Sequence, residues 1–168
     1  MVDPETLAVA ADVLHREGFY LDRRDWDAWL ALYSGDAEYW VPAWRNEDEL
    51  VEDPDTEVSM IYHASRVALE ERVLRVRSNK SVTTRPLPRT THFVSNLLVQ
   101  GGTARDASIE ATASWSVHLF HPRSARQDTL FGRYEYGLVQ QDGTWRIRRK
   151  KIVLMNERIP TLIDFYCL

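Results

Sequence analysis

Histidine and carboxylate side chains are the groups of this sequence best suited to metal or acid–base chemistry. The histidines are His15, His63, His92, His118 and His121. Two histidines and a carboxylate that converge can hold a non-haem iron ion. No His-Glu-x-x-His or His-x3-His spacing occurs along the chain. The spacing therefore predicts no metal-binding residue in this chain.

Histidine, tyrosine and aspartate side chains could also transfer protons without a metal ion. A histidine or tyrosine paired with an aspartate in an apolar cavity can act as a general acid or base. The candidates are Asp36, Tyr39, His63 and His92. Each also fits a structural, hydrogen-bonded role, and the sequence favours that role. Trp40 and Trp44, on either side of Pro42, are more typical of core or interface anchors than of a ligand platform.

Other catalytic and binding motifs are missing from the sequence. Cys167 is the only cysteine, which excludes an internal disulfide, a thiolate cluster and a Rieske centre, and its place near the end makes it a poor nucleophile. No glycine-rich phosphate loop and no Gly-x-Ser-x-Gly motif occurs. The basic run 146–151 alternates between the two faces of a predicted strand. It therefore predicts no phosphate-tracking stripe.

Length and composition predict one globular domain over residues 1–168. The chain is 44% hydrophobic and 27% charged, with a net charge of −4, which is ordinary for a globular protein and unfavourable for nucleic-acid binding. No apolar stretch has the length of a membrane span, and the acidic first residues lack the features of a signal peptide. We therefore expect a cytoplasmic protein that binds neither nucleic acid nor a membrane.

Charge is unevenly spread along the chain. Residues 1–57 hold 16 acidic and 4 basic side chains, whereas residues 58–168 hold 9 acidic and 17 basic ones. The two parts either neutralise each other within one fold or present a surface to a partner, and the first interpretation is favoured. The chain has 18 arginines and 3 lysines, a bias that is typical of protein interfaces.

The front of the chain has helical periodicity. A helix is expected over 4–17, with Gly18 as its end, and another over 24–34. A strand follows at 37–41 and ends at Pro42. An acidic loop covers 45–57, a long helix is expected over 58–77, and 78–90 should be irregular because of Pro86 and Pro88.

The back of the chain alternates with period two, which is typical of strands. Strands are expected at 90–100, 107–119, 128–140 and 144–155. Gly101 and Gly102 should end the first strand, and Asp142-Gly143 should form a hairpin turn. The second strand should point Ala107, Ile109, Ala111, Ala113, Trp115, Val117 and Leu119 inward. These elements predict an α+β fold in which N-terminal helices pack on a strongly curved antiparallel sheet.

Several motifs carry a resemblance to known families. Leu21-Asp22, Asp25-Trp26 and Asp36-Ala37 resemble the opening of the nuclear-transport-factor-2-like (NTF2-like, cystatin-like) superfamily. Further segments resemble the small (beta) subunit of aromatic-ring-hydroxylating dioxygenases of the benzoate/anthranilate type: 38–44, 53–54, 57–62, 69–73, 88–92, 145–147 and 150–151. This second resemblance extends over essentially the whole chain.

The resemblance implies a cone-shaped α+β fold and a structural role. In that family a separate large (alpha) subunit carries a Rieske [2Fe–2S] centre and a mononuclear non-haem iron, and three large and three small subunits form a hexamer. The whole enzyme cis-dihydroxylates an aromatic carboxylate with electrons from NADH through a reductase, in aromatic catabolism. The resemblance assigns no catalytic, cofactor-binding or metal-binding residue to this chain. It also implies that the small subunit self-associates as a trimer.

A stand-alone dehydratase or isomerase of the NTF2-like superfamily is the alternative. It would use a buried His/Asp pair in the cavity of the cone. The acidic loop 45–57 and the arginine bias favour the subunit, because a small single-domain enzyme needs no such long charged connection.

Overall fold

The computed structural model describes residues 2–78, 86–156, 159 and 163–168, which form helices packed against one sheet. The helices are α1 (Pro4–Arg23), α2 (Trp26–Ala31) and α3 (Arg66–Arg77). The strands are β1 (Tyr33–Pro42), β2 (Ser59–His63), β3 (Arg89–Thr103), β4 (Ser108–His121), β5 (Arg126–Gln141) and β6 (Thr144–Leu154). A short 3-10 helix, Phe165–Cys167, lies near the end of the chain.

The first helix begins as predicted and continues further. Asp3 caps it by accepting a hydrogen bond from the Thr6 backbone N–H at 3.1 Å, and Pro4 occupies its first turn. Gly18 does not end the helix, which is a correction. A Cβ at Gly18 would lie 3.1 Å from the Cβ of His92, so this glycine lets α1 approach β3. The helix ends at Arg23, and the residue that caps it, Arg24, has a φ of 57°.

The predicted helix over 24–34 is too long at both ends. Asp25 caps α2 through its side chain, and β1 already begins at Tyr33, where it pairs in parallel with Ile147 of β6. Residues 34–36 therefore belong to the strand. The strand ends at Pro42, as the sequence predicted.

The single helix predicted over 58–77 is wrong in its first part. Residues Ser59–His63 form β2, which pairs antiparallel with β1. Val58, expected on the apolar face, is instead one of the most exposed hydrophobic side chains. Of the residues expected on that face, only Leu69 and Val73 are buried by α3.

The segment 78–90 was predicted to be irregular. Its part 79–85 lies outside the described residues, and β3 begins at Arg89, just after Pro88.

The sheet is confirmed as the framework of the fold, with the strand order β2-β1-β6-β5-β4-β3. Four of its five strand pairings are antiparallel, and β1 and β6 run parallel. Gly101 and Gly102 do not end β3, which passes through them to Thr103 with shifts of register on the way. Asp142 and Gly143 form the predicted turn with φ of 51° and 74°.

The inward face of β4 is confirmed with one exception. Ile109, Ala111, Ala113, Trp115, Val117 and Leu119 are all buried. Ala107 instead belongs to the preceding turn, with a φ of 56°. The helices cover this inner face, and α1 packs along β3. Phe165 of the 3-10 helix stacks on Trp29 at a ring-centroid distance of 4.7 Å, so the end of the chain is part of the core.

Among the described residues, no helix combines the length and the apolar character needed to span a bilayer.

Candidate functional site

The predicted acid–base residues do not converge on one site. Asp36 lies on the exposed side of β1, where it accepts a hydrogen bond from the Ser34 hydroxyl at 2.8 Å and lies 3.1 Å from Nε of Arg148. The hydrogen bond from Ser34, aided by Arg148, lowers the pKa of Asp36. Asp36 is therefore a surface ion-pair partner of the sheet and pairs with no histidine.

Tyr39 and His63 are neighbours, and among the described residues neither pairs with an aspartate. Their ring centroids are 6.2 Å apart across the β1–β2 pairing. Burial raises the pKa of Tyr39 well above its usual value and lowers that of His63. The buried Tyr39 hydroxyl finds no hydrogen-bond partner in the described part of the chain.

His92 does form a buried pair, but its partner is Asp22 rather than Asp36. His92 Nδ1 lies 2.5 Å from Asp22 Oδ1, and the His92 backbone N–H donates to Oδ2 at 2.9 Å. The Thr90 hydroxyl also donates to Oδ1, at 3.0 Å. Burial raises the pKa of Asp22, but the hydrogen bonds from His92 and Thr90 outweigh it, so the pKa is lowered.

This pair fastens the end of α1 to the start of β3. The His92 side chain is only 2% exposed, and its Nε2 has neither solvent contact nor a hydrogen-bond partner among the described residues. A general base must reach the proton that it abstracts. The geometry of His92 is therefore that of a positioning residue within the fold.

The remaining histidines lie apart from one another. His15 is exposed on α1, His118 contacts Phe93 on the outer face of the sheet, and His121 lies 2.9 Å from Asp128. Within the described ranges, no three His, Cys, Asp or Glu side chains are grouped as metal ligands. Cys167 is buried, and burial raises the pKa of its thiol to about 12, which makes it a poor nucleophile.

The interior of the cone holds a polar cluster that the sequence analysis missed. We call it the central cluster, and its members are Glu17, Trp29, Tyr33, Tyr136 and Lys150. Lys150 Nζ lies 3.0 Å from Glu17 Oε1, and the Tyr136 hydroxyl donates to Oε2 at 2.5 Å. The Tyr33 hydroxyl and the Trp29 indole N–H also donate to Oε1. Every member of the cluster is at most 2% exposed.

Burial and the charge of Glu17 determine the protonation of its neighbours. Burial, and after it the carboxylate of Glu17, raise the pKa of Tyr33 and Tyr136 well above the usual value. Both tyrosines therefore keep their protons and act as donors. Burial lowers the pKa of Lys150, and Glu17 opposes this shift. The ammonium group also lies 4.2 Å from the ring centroid of Tyr134, where the ring face stabilises it.

The sequence analysis missed this cluster for two reasons. Glu17 lies in a polar stretch of α1, and Lys150 lies in the basic run 146–151, where both look solvated. The alternation of β6 indicates an inward position for Lys150, because this residue is in phase with the buried Ile152 and Leu154. A charged residue at an inward position of a strand requires a buried partner of opposite charge.

The acidic segment, defined as residues 45–57, follows β1 and is attached to the end of β6. Trp44 precedes it and donates its indole N–H to the Leu154 carbonyl at 2.8 Å, and Val51, which belongs to the segment, is buried. Within the segment Arg45 pairs with Glu49 and Glu57. The hydrogen bond from Arg45 lowers the pKa of Glu57 to about 2. This region is an ordered surface feature with its own hydrogen bonds.

The architecture of the fold indicates the structural class of the protein. A cystatin-like protein of unknown function from Nostoc punctiforme superposes with a TM-score of 0.57 at 13% identity, over 95% of this chain and 97% of that one. This likeness bears on the fold alone, and it supports the predicted α+β, cystatin-like fold. The sequence then identifies the family: the model for ring-hydroxylating beta subunits matches residues 16–161. The chain belongs to this family of oxidoreductase subunits.

Individual relatives agree with this assignment. The small subunit of anthranilate 1,2-dioxygenase from Acinetobacter baylyi is 38% identical over 91% of this chain and 91% of its own length. The crystal structure of the beta subunit of benzoate 1,2-dioxygenase from Burkholderia mallei has a TM-score of 0.79 at 28% identity, and the match covers 100% of this chain and 99% of that one. The resemblance predicted from the sequence is confirmed.

Proposed function

We propose that this chain is a non-catalytic, structural small subunit of the hydroxylase component of a Rieske-type aromatic-ring dioxygenase. All 168 residues act as one domain in the cytoplasm. The chain binds a large (alpha) subunit in a hexamer of three large and three small subunits, and its own copies associate as a trimer. The assembled enzyme cis-dihydroxylates an aromatic carboxylate related to benzoate or anthranilate, as part of aromatic catabolism. Electrons come from NADH through a reductase.

The buried central cluster is the observation that supports the structural role. An acid–base enzyme with this fold needs a cavity in which a substrate can reach a titratable group. In this chain Glu17 and Lys150 neutralise each other at the centre, and Tyr33 and Tyr136 use their protons to hydrogen-bond Glu17. The central cluster therefore stabilises the fold. No residue of this chain is assigned a catalytic role.

The donor atoms of the chain agree with cofactors that reside in the large subunit. A Rieske centre takes two cysteine and two histidine ligands, and this chain has a single, buried cysteine. The residues of this chain therefore do not fit the Rieske centre. The proposal assigns that centre and the mononuclear iron to the large subunit, where the ring is oxidised.

Substitution of His92 tests the proposal against the dehydratase alternative. The full chain is co-expressed with a large subunit of the benzoate/anthranilate type, and the complex is supplied with NADH and a reductase. Turnover of benzoate and anthranilate is then measured per assembled complex, with assembly quantified by size-exclusion chromatography. His92→Ala should lower stability by about 1–3 kcal/mol, because Asp22 loses its imidazole partner and keeps only the Thr90 hydroxyl and the backbone N–H of residue 92. Turnover per complex should change less than about threefold. The exposed His15→Ala is the matched control and should change neither quantity.

A different result would contradict the structural role. General acid–base groups contribute about 10²–10⁴-fold to rate. A drop of a hundredfold or more in an intact His92→Ala complex would therefore place chemistry in this chain. Elemental analysis of the purified chain gives a second readout, since about one tightly bound iron per chain would also refute the proposal.

A further inference from the structure

A diagonal of polar side chains crosses the inner face of the sheet from β3 to β5. His92 of β3 is paired with Val117 of β4, so Trp115, two residues away on the same face, is its diagonal neighbour. Trp115 in turn stacks on Tyr134 of β5, with ring centroids 5.1 Å apart. Large side chains in diagonal positions of two strands lie within reach of one another. His92 and Trp115 are therefore close enough to contact the same small molecule.

Two nitrogen atoms of this diagonal are buried without a hydrogen-bond partner among the described residues. They are Nε2 of His92 and Nε1 of Trp115. The His92 side chain is 2% exposed and Trp115 is 3% exposed. A buried polar group that stays unpaired destabilises the fold, so such groups are nearly always hydrogen-bonded to protein, water or a ligand. The two nitrogens therefore point to a shared polar partner.

A cavity of about 260 Å³ lies between α1 and β3 and reaches His92. Its walls include three apolar side chains, Leu14, Phe19 and Val94. Val94 lies directly opposite Trp115 in the strand register, so the cavity adjoins both nitrogen-bearing side chains. An apolar cavity of roughly 150 Å³ can hold benzene. The space between α1 and β3 is therefore large enough for one aromatic ring with a substituent.

The two nitrogens select the chemical group of the ligand. His92 Nδ1 lies 2.5 Å from Asp22 Oδ1, which places the imidazole proton on Nδ1 and leaves a lone pair on Nε2. The indole N–H of Trp115 can only donate. A hydroxyl can donate to the imidazole and accept from the indole, whereas a carboxylate cannot donate and an ammonium group cannot accept. A phenol hydroxyl is more acidic than an aliphatic one and is the stronger donor to the imidazole.

We propose that this cavity binds a small phenol, whose ring lies among the apolar walls and whose hydroxyl bridges His92 Nε2 and Trp115 Nε1. Both nitrogens are covered in this structure, so entry of the ring moves a side chain at the rim. Phe19 has the room to move, because it is 49% exposed. The proposal assigns a binding site and no chemical step, and it does not depend on the proposed function.

Titration of the full chain with phenol tests the proposal. The indole N–H signals of a chain labelled with ¹⁵N-tryptophan are followed by NMR, and the Trp115 signal is identified by its loss in Trp115→Phe. Calorimetry gives the Kd of every variant. Three probes of similar size are compared with phenol: toluene has no hydroxyl, anisole can accept but not donate, and benzoate is an anion. Trp145→Phe is the matched control, since Trp145 lines a separate groove beside Val9 of α1.

Phenol should shift the Trp115 indole signal saturably, with a Kd of about 1 mM or less. Toluene, anisole and benzoate should bind at least about tenfold more weakly, because each leaves the imidazole lone pair without a donor. Trp115→Phe keeps a ring beside Tyr134 and should also weaken phenol binding at least about tenfold, whereas Trp145→Phe should bind like wild type. Val94→Phe fills the cavity and should abolish binding, which gives a second test if Trp115→Phe does not fold.

Four results would overturn the proposal. The absence of saturable binding up to about 10 mM phenol would leave water as the occupant of the cavity. Toluene or anisole that binds as tightly as phenol would show that the hydroxyl is not recognised. Tighter binding of benzoate would show that His92 presents a proton rather than a lone pair. Equal losses in Trp115→Phe and Trp145→Phe would exclude the contact with the Trp115 indole. Turnover per assembled complex tests the proposed function separately.

Discussion

Replacement of Lys150 by methionine tests the central cluster, because methionine keeps much of the aliphatic stem and removes the ammonium group. Lys150 Nζ lies 3.0 Å from Glu17 Oε1, and its side chain is 1% exposed. Removal of one partner from a buried ion pair costs about 3–5 kcal/mol, because the other charge stays buried without compensation. Trp29, Tyr33 and Tyr136 still donate to the carboxylate. We therefore expect a loss near the lower limit, about 3 kcal/mol.

This loss is large enough to measure in urea and in thermal unfolding. For a chain of this size each kcal/mol lowers the melting temperature by about 2–4 °C, so Lys150→Met should melt about 6–12 °C below wild type. All variants are compared at one chain concentration, because self-association adds to apparent stability. Lys151→Met is the matched control. Its side chain is 20% exposed and its Nζ lies 3.6 Å from Glu135 Oε2, and an ion pair near the surface contributes about 0–1 kcal/mol.

A double variant separates the ion pair from simple packing. Glu17→Gln keeps an acceptor oxygen for the tyrosines and removes the charge, so Glu17→Gln with Lys150→Met leaves no unpaired buried charge. We expect this double variant to be more stable than the sum of the two single changes predicts. A Lys150→Met chain within about 1 kcal/mol of wild type would refute the reasoning, as would fully additive single effects.

Two further predictions concern Asp22 and Cys167. Asp22→Asn should be less stable than wild type at neutral pH, and the difference should shrink below about pH 4. The folded pKa of Asp22 lies below its ordinary value of 3.8. The stability that the Asp22 carboxylate adds is therefore complete above that value and is lost as the pH falls through the folded pKa. Melting curves over a pH series measure this difference, and a constant difference down to about pH 2 would contradict it. Cys167 should resist a thiol-reactive disulfide reagent at about pH 8 until the chain unfolds, since burial raises its pKa to about 12. Labelling of the folded chain at the rate of a free thiol would contradict this prediction.

Local patterns predicted the elements whose residues meet neighbours close in sequence. The alternation over 107–119 correctly placed Ile109 to Leu119 in the core, and Asp142-Gly143 formed the expected hairpin turn. The helix predicted over 58–77 failed because a pairing with β1, not local periodicity, makes Ser59–His63 a strand. Tertiary pairing overrides local propensity in such segments.

The candidate site depended on contacts that no local pattern specifies. His92 was one of four candidates for a buried pair, and its partner is Asp22, which is 70 positions away in sequence and was not among them. Glu17 and Lys150 are 133 positions apart. Both pairs form only once α1 lies inside the curve of the sheet. The sequence supplied the residue types, and the register of the sheet selected the partners.

The uneven charge along the sequence is only partly neutralised in the fold. Part of it is neutralised between the two parts of the chain, as expected: Lys150–Glu17 at 3.0 Å, Arg148–Asp36 at 3.1 Å and Arg77–Asp27 at 2.9 Å each join residues 1–57 to residues 58–168. The acidic segment behaves differently, because Arg45 within the segment pairs with only two of its seven carboxylates. The net negative charge that remains is therefore concentrated in the acidic segment.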